Sequence, residues 1–117
     1  MQFIVYDPNF DPETATLPSP EAMVEMGKLI EDMTRAGVLV ATGALQPEGT
    51  RLKFSGGKFT VTDGPFIELK ELLAGFAVIQ VESLEEAIEW SKRFRKIIGE
   101  GESEIVQLFG PDDFGHT

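Results

Sequence analysis

The residues best suited to chemistry lie in one short segment, which opens with Asp-Gly-Pro-Phe at Asp63. Phe66, Glu68 and Lys70 follow in the same segment. In one interpretation Asp63 is an acid/base group or a ligand anchor in a cleft. Lys70 is then a point charge for a small polar or anionic ligand. In the other interpretation Asp-Gly forms a turn and Lys70 is solvated. The residues alone leave both interpretations open.

Further candidates for the same cleft lie elsewhere in the chain. Tyr6 carries a hydroxyl on an aromatic ring, and Met26 belongs to a methionine stripe that suits either an adaptable pocket or ordinary core packing. Arg51 and Lys53 form a positive patch that receives an anionic ligand or pairs with nearby acids. The predicted site therefore has Asp63 in the catalytic role, with ligand-binding residues Tyr6, Met26, Arg51, Phe66, Glu68 and Lys70.

Other kinds of site have little support in the sequence. Cysteine is absent, and the single histidine is His116, next to the last residue. This composition excludes thiol nucleophiles, disulfides and cysteine-ligated zinc, and we expect neither a metal nor a cofactor. The sequence also lacks a glycine pattern of the nucleotide-binding kind and a nucleophile elbow.

The charge balance of the chain excludes some classes of binding partner. The 117 residues contain 10 Lys+Arg and 20 Asp+Glu, a net charge of -10. Such a chain does not suit nucleic acid or an anionic membrane. The basic run from Lys92 to Lys96 ends a predicted helix, where cations favour the negative helix terminus. We expect no spanning helix and no secretory signal, and a cytoplasmic location.

The apolar pattern predicts two helices among six strands. Ser19-Pro20-Glu21 begins a helix that Gly37 ends, and Ser83-Leu84-Glu85-Glu86 is a capping box for the second. Ser55-Gly56-Gly57 closes a predicted hairpin. The order β-α-β, hairpin, β-α-β predicts an α+β fold of the ferredoxin-like, split βαβ type with an inserted hairpin. We expect a single domain over 1–117, with a flexible tail at 110–117.

The predicted strands are apolar on both faces, which bears on assembly. Phe3 and Val5 alternate with Ile4 and Tyr6, and the strand beginning at Phe76 shows the same pattern. Two helices cover only one face of a sheet, so a second apolar face needs another cover. We expect a homodimer that packs through this open sheet face.

The segment from Val61 to Phe76 resembles the signature of the DGPF family, within the wider YCII-related superfamily. The stretches Ala36-Gly37-Val38-Leu39-Val40 and Gly43-Ala44-Leu45-Gln46-Pro47 agree with it, and the resemblance spans about residues 1–109. It implies a dimeric α+β barrel built from ferredoxin-like halves. It implies no known reaction, although the superfamily is associated with a His–Asp pair.

This sequence departs from that pair. The first-helix position that matches the superfamily's histidine is near Met26, and a methionine does not shuttle protons. The first functional hypothesis is therefore a small-molecule-binding or weakly enzymatic protein with Asp63 in the cleft. The second is a non-catalytic interaction or regulatory protein, since members of the family often accompany sigma factors of the extracytoplasmic-function class.

Overall fold

The computed structural model describes residues 1–9, 18–44, 49–63 and 75–111. Its elements are, in chain order, β1 (Gln2–Tyr6), α1 (Pro20–Arg35), β2 (Leu39–Gly43), β3 (Thr50–Ser55), β4 (Lys58–Asp63), β5 (Phe76–Gln80), α2 (Leu84–Ile98) and β6 (Glu104–Leu108). This order confirms the predicted α+β arrangement with a hairpin between two β-α-β halves.

Both helices begin at the predicted serine caps. The Ser19 hydroxyl accepts a hydrogen bond from the Ala22 amide at 3.1 Å, and the Ser83 hydroxyl accepts one from the Glu86 amide at 3.2 Å. The Glu86 carboxylate reaches back by one residue more than the capping-box pattern predicts, to the Glu82 amide at 3.0 Å. Each cap satisfies amides that a first helical turn leaves without partners.

The main sheet has four strands in the order β2-β5-β1-β6, and every neighbouring pair is antiparallel. Phe3 of β1 lies opposite Ile79 of β5, and Val5 lies opposite Ile105 of β6. This is the strand order of a ferredoxin-like fold. The register between β2 and β5 shifts between Leu39 and Ala41, which marks a β-bulge near that edge of the sheet.

The core lies between the helices and one face of the sheet. Phe3 and Ile79 from the sheet pack with Leu29 and Met33 from α1 and Ala87 from α2, and all are buried. Ser91 is also buried, and its hydroxyl donates to the Ala87 carbonyl at 2.8 Å, so it leaves no unpaired group. The helix-facing positions of β1 and β5 are therefore Phe3, Val5, Ala77 and Ile79.

Some apolar side chains of the helices are not buried as the spacing of apolar residues in the sequence predicts. The periodicity places Met23, Leu84 and Ile88 with the core, but these side chains are exposed. Trp90, which the pattern puts at the flank of α2, packs against the core instead. The apolar stripe of each helix is wider than the strip that the sheet covers, and its margins therefore stay in contact with solvent.

One ion pair joins the two helices. Arg93 Nη2 of α2 donates to Asp32 Oδ2 of α1 at 2.8 Å, and both side chains remain more than 40% exposed, at 45% and 42%. The hydrogen bond from Arg93 lowers the pKa of Asp32 below its ordinary value, and the charges of Arg93 and Arg35 add to this effect against a smaller opposing effect of desolvation. The pair is a surface contact between the helices.

Replacing Arg93 with methionine should raise the pKa of Asp32 toward its ordinary value. A carboxyl with a lowered pKa in the folded state stabilises the fold above its unfolded pKa of about 4, and this stabilisation is lost as the pH falls through the folded value. The difference in Tm between wild type and Arg93→Met should therefore be present at neutral pH and disappear in acid. An NMR titration of the Asp32 carboxyl carbon measures the shift.

Lys92→Met is the matched control, because Lys92 pairs at 3.0 Å with Glu89 of its own helix. It should leave the pKa of Asp32 unchanged. An unchanged Asp32 pKa in Arg93→Met would show that the interhelical pair does not form in solution.

Strands β3 and β4 form a separate two-stranded hairpin. Gly56 and Gly57 close it with φ angles of 60° and 74°, a conformation that favours glycine and is typical of a type I′ turn. The register pairs Leu52 with Val61 and Phe54 with Phe59. The turn agrees with the prediction from Ser55-Gly56-Gly57.

The sheet face opposite the helices is apolar at its centre and polar toward its ends, where Gln2, Gln80 and Glu104 lie. Strand alternation places Ile4, Val78 and Val106 together on it, since Ile4 lies opposite both of the others. Leu108 lies on the same face of β6, and Val106 and Leu108 are each 41% exposed. We call this surface the open face. In the part of the chain that the structure describes, both helices lie on the other side.

Candidate functional site

A cavity of about 1000 Å³ lies between the helices and the sheet, toward the end of β1 at which Asp7 follows. Its apolar wall comes from both helices, from the helix-facing side of the sheet and, at the strand end, from Phe76, which lies opposite Tyr6. Among the described residues, this wall includes Val5, Ala22, Met26, Leu29, Ile30, Met33, Leu39, Phe76, Ala77, Ile79, Trp90, Phe94, Ile97 and Ile98.

Small residues on opposing elements account for the space. Ala22 of α1 and Ser91 of α2 line the cavity from the helices, and Ala77 of β5 lines it from the sheet. A helix-on-sheet layer of constant thickness needs large side chains to fill it, so small residues that face one another leave a gap. Gly43 lies opposite Phe76, and a Cβ added at Gly43 would lie 3.8 Å from the Phe76 ring.

The polar end of the cavity is formed by Asp7, Asn9 and Arg95. Asp7 Oδ1 accepts from the Asn9 amide at 2.8 Å, and Asp7 Oδ2 lies 3.6 Å from Arg95 Nη1. Asn9 Nδ2 donates to Glu102 Oε1 at 3.1 Å. The side chain of Arg95 is 18% exposed and that of Asp7 is 37% exposed, so Asp7 remains reachable from solvent while Arg95 is largely enclosed.

Arg95 also holds the turn between α2 and β6. Its Nη1 donates to the Glu102 carbonyl at 2.8 Å, and its Nη2 donates to the Gly99 carbonyl at 3.2 Å. Gly101 passes close to this group at a φ of 146°, and a Cβ there would lie 2.7 Å from Arg95 Nη2. Arg95 Nε is buried and has no hydrogen-bond partner within the described residues.

The sequence interpretation missed Arg95 and Asp7. It treated Arg95 as one of several cations at a helix end, because spacing within a helix does not show a contact with a distant strand end. Gly99 and Gly101 were the available signal. Two glycines just after a helix allow the chain to wrap closely around a side chain from the last helical turn.

The predicted site residues lie in different parts of the structure. Met26 lines the cavity. Tyr6 follows Val5 on β1 and therefore points to the open face, away from Met26. Its hydroxyl donates to Glu104 Oε2 at 3.0 Å, and this hydrogen bond, with smaller effects of desolvation and the Glu104 charge, raises the pKa of Tyr6.

Asp63 and Arg51 lie on the hairpin. Asp63 ends β4 and is exposed, and Asp63 Oδ1 accepts from the Thr50 hydroxyl at 3.0 Å. Arg51 lies opposite Thr62 on the other face of the hairpin. Phe66, Glu68 and Lys70 fall on 64–74, and His116 falls on 112–117, both outside the described residues. Gly75, which follows 64–74 directly, lines the cavity.

Comparison with known proteins shows the family of this chain. The model of the YCII-related domain matches residues 1–109. The chain belongs to the YCII-related family. It is also 35% identical over 72 residues to an uncharacterized protein of Rhizobium meliloti. The match covers 60% of this chain and 58% of that relative, so the chain spans less than two thirds of the relative's length.

Within 1–9, 18–44, 49–63 and 75–111, no group of three or more His, Cys, Asp or Glu side chains could hold a metal ion. The same residues contain no helix that is long and apolar enough to cross a membrane.

Proposed function

We propose that this YCII-related protein binds a small organic molecule in the cavity between its helices and sheet. The observation that carries the proposal is the cavity itself, about 1000 Å³ with a mainly apolar wall and a few polar groups at one end. Ligand pockets in proteins typically measure about 300–1000 Å³ and have this composition. The proposal is one of binding and includes no reaction.

The lining indicates the chemistry of the ligand. Met26, Trp90 and Phe94 offer flexible and aromatic surface for an apolar body. Asp7 and Asn9 offer a carboxylate and an amide for one polar group at the other end. Most of the hydrogen-bonding capacity of Arg95 is used by the turn after α2, so we place Asp7, rather than Arg95, nearest to the polar group of the ligand.

The predicted cleft around Asp63 remains a separate prediction. Of its members within the described residues, Met26 lines the cavity, while Tyr6 points to the other face of the sheet. An acid/base role for Asp63 depends on residues 64–74, where Phe66, Glu68 and Lys70 lie. The cytoplasmic location likewise remains a prediction.

We also propose that the working unit is a homodimer packed through the open face. The support is the apolar character of that face, where Val106 and Leu108 are each 41% exposed and Ile4 and Val78 lie beside them. Contiguous exposed apolar surface on a protein of this size is typical of an interface. A second copy supplies the same surface in return.

A thermal-shift panel tests the ligand proposal. The probes are phenylacetate and hexanoate as anions, and phenethylamine and hexylamine as cations with the same apolar bodies. We expect at least one probe to raise the Tm of wild type, because a ligand that binds only the folded state stabilises it. The charge of the effective probes also shows whether Asp7 faces the polar group.

Two variants that fill the cavity and a third, control variant test where the probe binds. Ala22→Phe fills it from α1 and Ala44→Phe fills it at its rim, and each should weaken probe binding by about tenfold or more. Met23→Phe adds similar bulk on the exposed side of α1, where Met23 is 62% exposed, and should bind like wild type. No shift with any probe, or equal binding by all variants, would contradict the proposal.

A second candidate function is a regulatory interaction protein, associated with an extracytoplasmic-function sigma factor. Its support is the net charge of -10 and the family resemblance. Its test is capture of a basic partner from lysate at low salt and release of that partner at moderate salt, since exposed charge pairs are screened by salt. Recovery of the homodimer alone would count against it.

A further inference from the structure

The β3-β4 hairpin has one apolar face and one polar, basic face. Phe54, Phe59, Leu52 and Val61 lie together on the first, because the register pairs them across the two strands. On the other face Arg51 lies opposite Thr62, Lys53 opposite Thr60, and Lys58 opposite Ser55. The hairpin therefore has the two-faced pattern of a strand pair that packs one face against a hydrophobic core.

The apolar face is almost bare. The exposed fractions are 64% for Leu52, 66% for Phe54, 70% for Phe59 and 65% for Val61. The rings of Phe54 and Phe59 contact each other, with centroids 4.7 Å apart, but little else shields them. Since a buried aromatic ring contributes about 150–250 Å², the four side chains together leave roughly 400–500 Å² of apolar surface in water.

An isolated two-stranded hairpin is only marginally stable in water. The hairpin forms a sheet of its own, apart from the four-stranded sheet, and all of its strand residues are exposed. A natural sequence does not usually leave two phenylalanines exposed on such an element without a partner surface. The apolar face of the hairpin therefore requires a cover.

We propose that a second copy of this chain covers the hairpin, so that the hairpin acts as a dimerisation arm. This inference rests on the homodimer of the preceding section and adds the arm to its interface. One chain carries two separate apolar surfaces, the open face and the hairpin face. Two-fold symmetry covers both at once, because each contact made by one protomer is repeated by its partner.

The surface area that a stable dimer buries is a second argument for the dimerisation arm. On the open face Val106 and Leu108 are each 41% exposed and Ile4 and Val78 are half-buried, so these side chains leave less apolar area in water than the hairpin face does. A stable interface buries about 800 Å² on each partner. The open face alone falls well short of this area, and the hairpin face supplies a large part of the difference.

Charge complementarity also favours a second copy. The hairpin residues 50–63 contain Arg51, Lys53 and Lys58 against Asp63, whereas the whole chain has a net charge of -10. Two acidic chains repel each other, and a basic arm reduces that repulsion when it lies on the acidic partner. The basic side chains lie on the hairpin face opposite the apolar one, so they reduce the repulsion at a distance while the apolar face makes the contact.

Sedimentation equilibrium of the full chain tests the arm. The double variant Phe54→Ser/Phe59→Ser should raise the Kd of the dimer about 100-fold or more. Lys53→Ser is the matched control, because Lys53 lies on the opposite face of the same strand and should change the Kd by less than about threefold. Val106→Asp on the open face tests the sheet-to-sheet contact separately. Circular dichroism confirms that each variant is folded.

The outcomes separate the two proposals. Weakening by both Val106→Asp and the phenylalanine variant supports the arm. Weakening by Val106→Asp alone leaves the homodimer in place and overturns the arm. A lower Tm of the phenylalanine variant with an unchanged Kd shows that the chain covers its own hairpin, and this also overturns the arm. A monomeric wild type at micromolar concentration overturns both proposals.

Discussion

Replacing Ile79 with alanine is expected to lower the free energy of unfolding by about 3–4 kcal/mol. Ile79 is 1% exposed and lies on β5, one of the two central strands, opposite Phe3 on one side and Leu39 on the other. The substitution removes apolar contacts and enlarges a cavity that the side chain already lines. Surrounding side chains collapse only in part, so the cost exceeds the transfer free energy of the lost atoms.

Urea denaturation followed by circular dichroism measures this loss, with the slope m compared between variant and wild type. Val24→Ala is the matched control, because Val24 is a β-branched residue of α1 that is 59% exposed and lies on neither the open face nor the hairpin. It should change the free energy of unfolding by less than about 0.5 kcal/mol. A loss below about 1 kcal/mol for Ile79→Ala would mean that β5 is not the centre of the core.

Replacing Arg95 with methionine is expected to lower the free energy of unfolding by about 2–4 kcal/mol. The variant keeps much of the apolar stem but loses the hydrogen bonds to the carbonyls of Glu102 and Gly99 and the ion pair with Asp7. Gly99 and Glu102 are exposed and their carbonyls can bind water, so the expected loss comes from the charge-assisted hydrogen bonds that the arginine no longer makes. The turn before β6 should loosen as a result.

The same denaturation series, with hydrogen exchange of the amides at 99–103, measures both effects. Arg93→Met is the matched control: it removes an arginine two residues away on the same helix, whose side chain is 45% exposed. Arg93→Met should lower the free energy of unfolding much less than Arg95→Met and leave amide hydrogen exchange at 99–103 unchanged. Equal losses for the two variants would contradict the role assigned to Arg95.

Local signals in the sequence predicted the helices and the hairpin well. Ser19 and Ser83 begin helices because their hydroxyls cap free amides, and Gly56-Gly57 turns the hairpin because both residues adopt positive φ. The strand order followed from the sequence of elements, because two β-α-β halves around a hairpin have few compatible topologies. The helix starts and the hairpin turn depend on neighbours in the chain, whereas the strand order depends on the order of the elements.

The candidate site was harder to predict because it depends on distant contacts. Met26 was identified and lines the cavity, but Tyr6 was grouped with it although alternation with Val5 places the two on opposite sides of the sheet. Arg95 and Asp7 meet across the fold, at 3.6 Å between Nη1 and Oδ2. No spacing within the chain predicts that contact. The cavity itself arises from small residues on three elements, which only the packed structure brings together.

Methyl NMR of the methionines tests the central claim most directly. Met26 and Met33 line the cavity, whereas Met23 of the same helix is 62% exposed and serves as an internal control. Wild type labelled with carbon-13 at the methionine methyls is titrated with the probe that raises the Tm most. The account predicts that the Met26 and Met33 signals shift together with one Kd while the Met23 signal stays in place. Shifts at Met23 alone, or no shift at Met26 at saturating probe, would contradict a ligand site between the helices and the sheet.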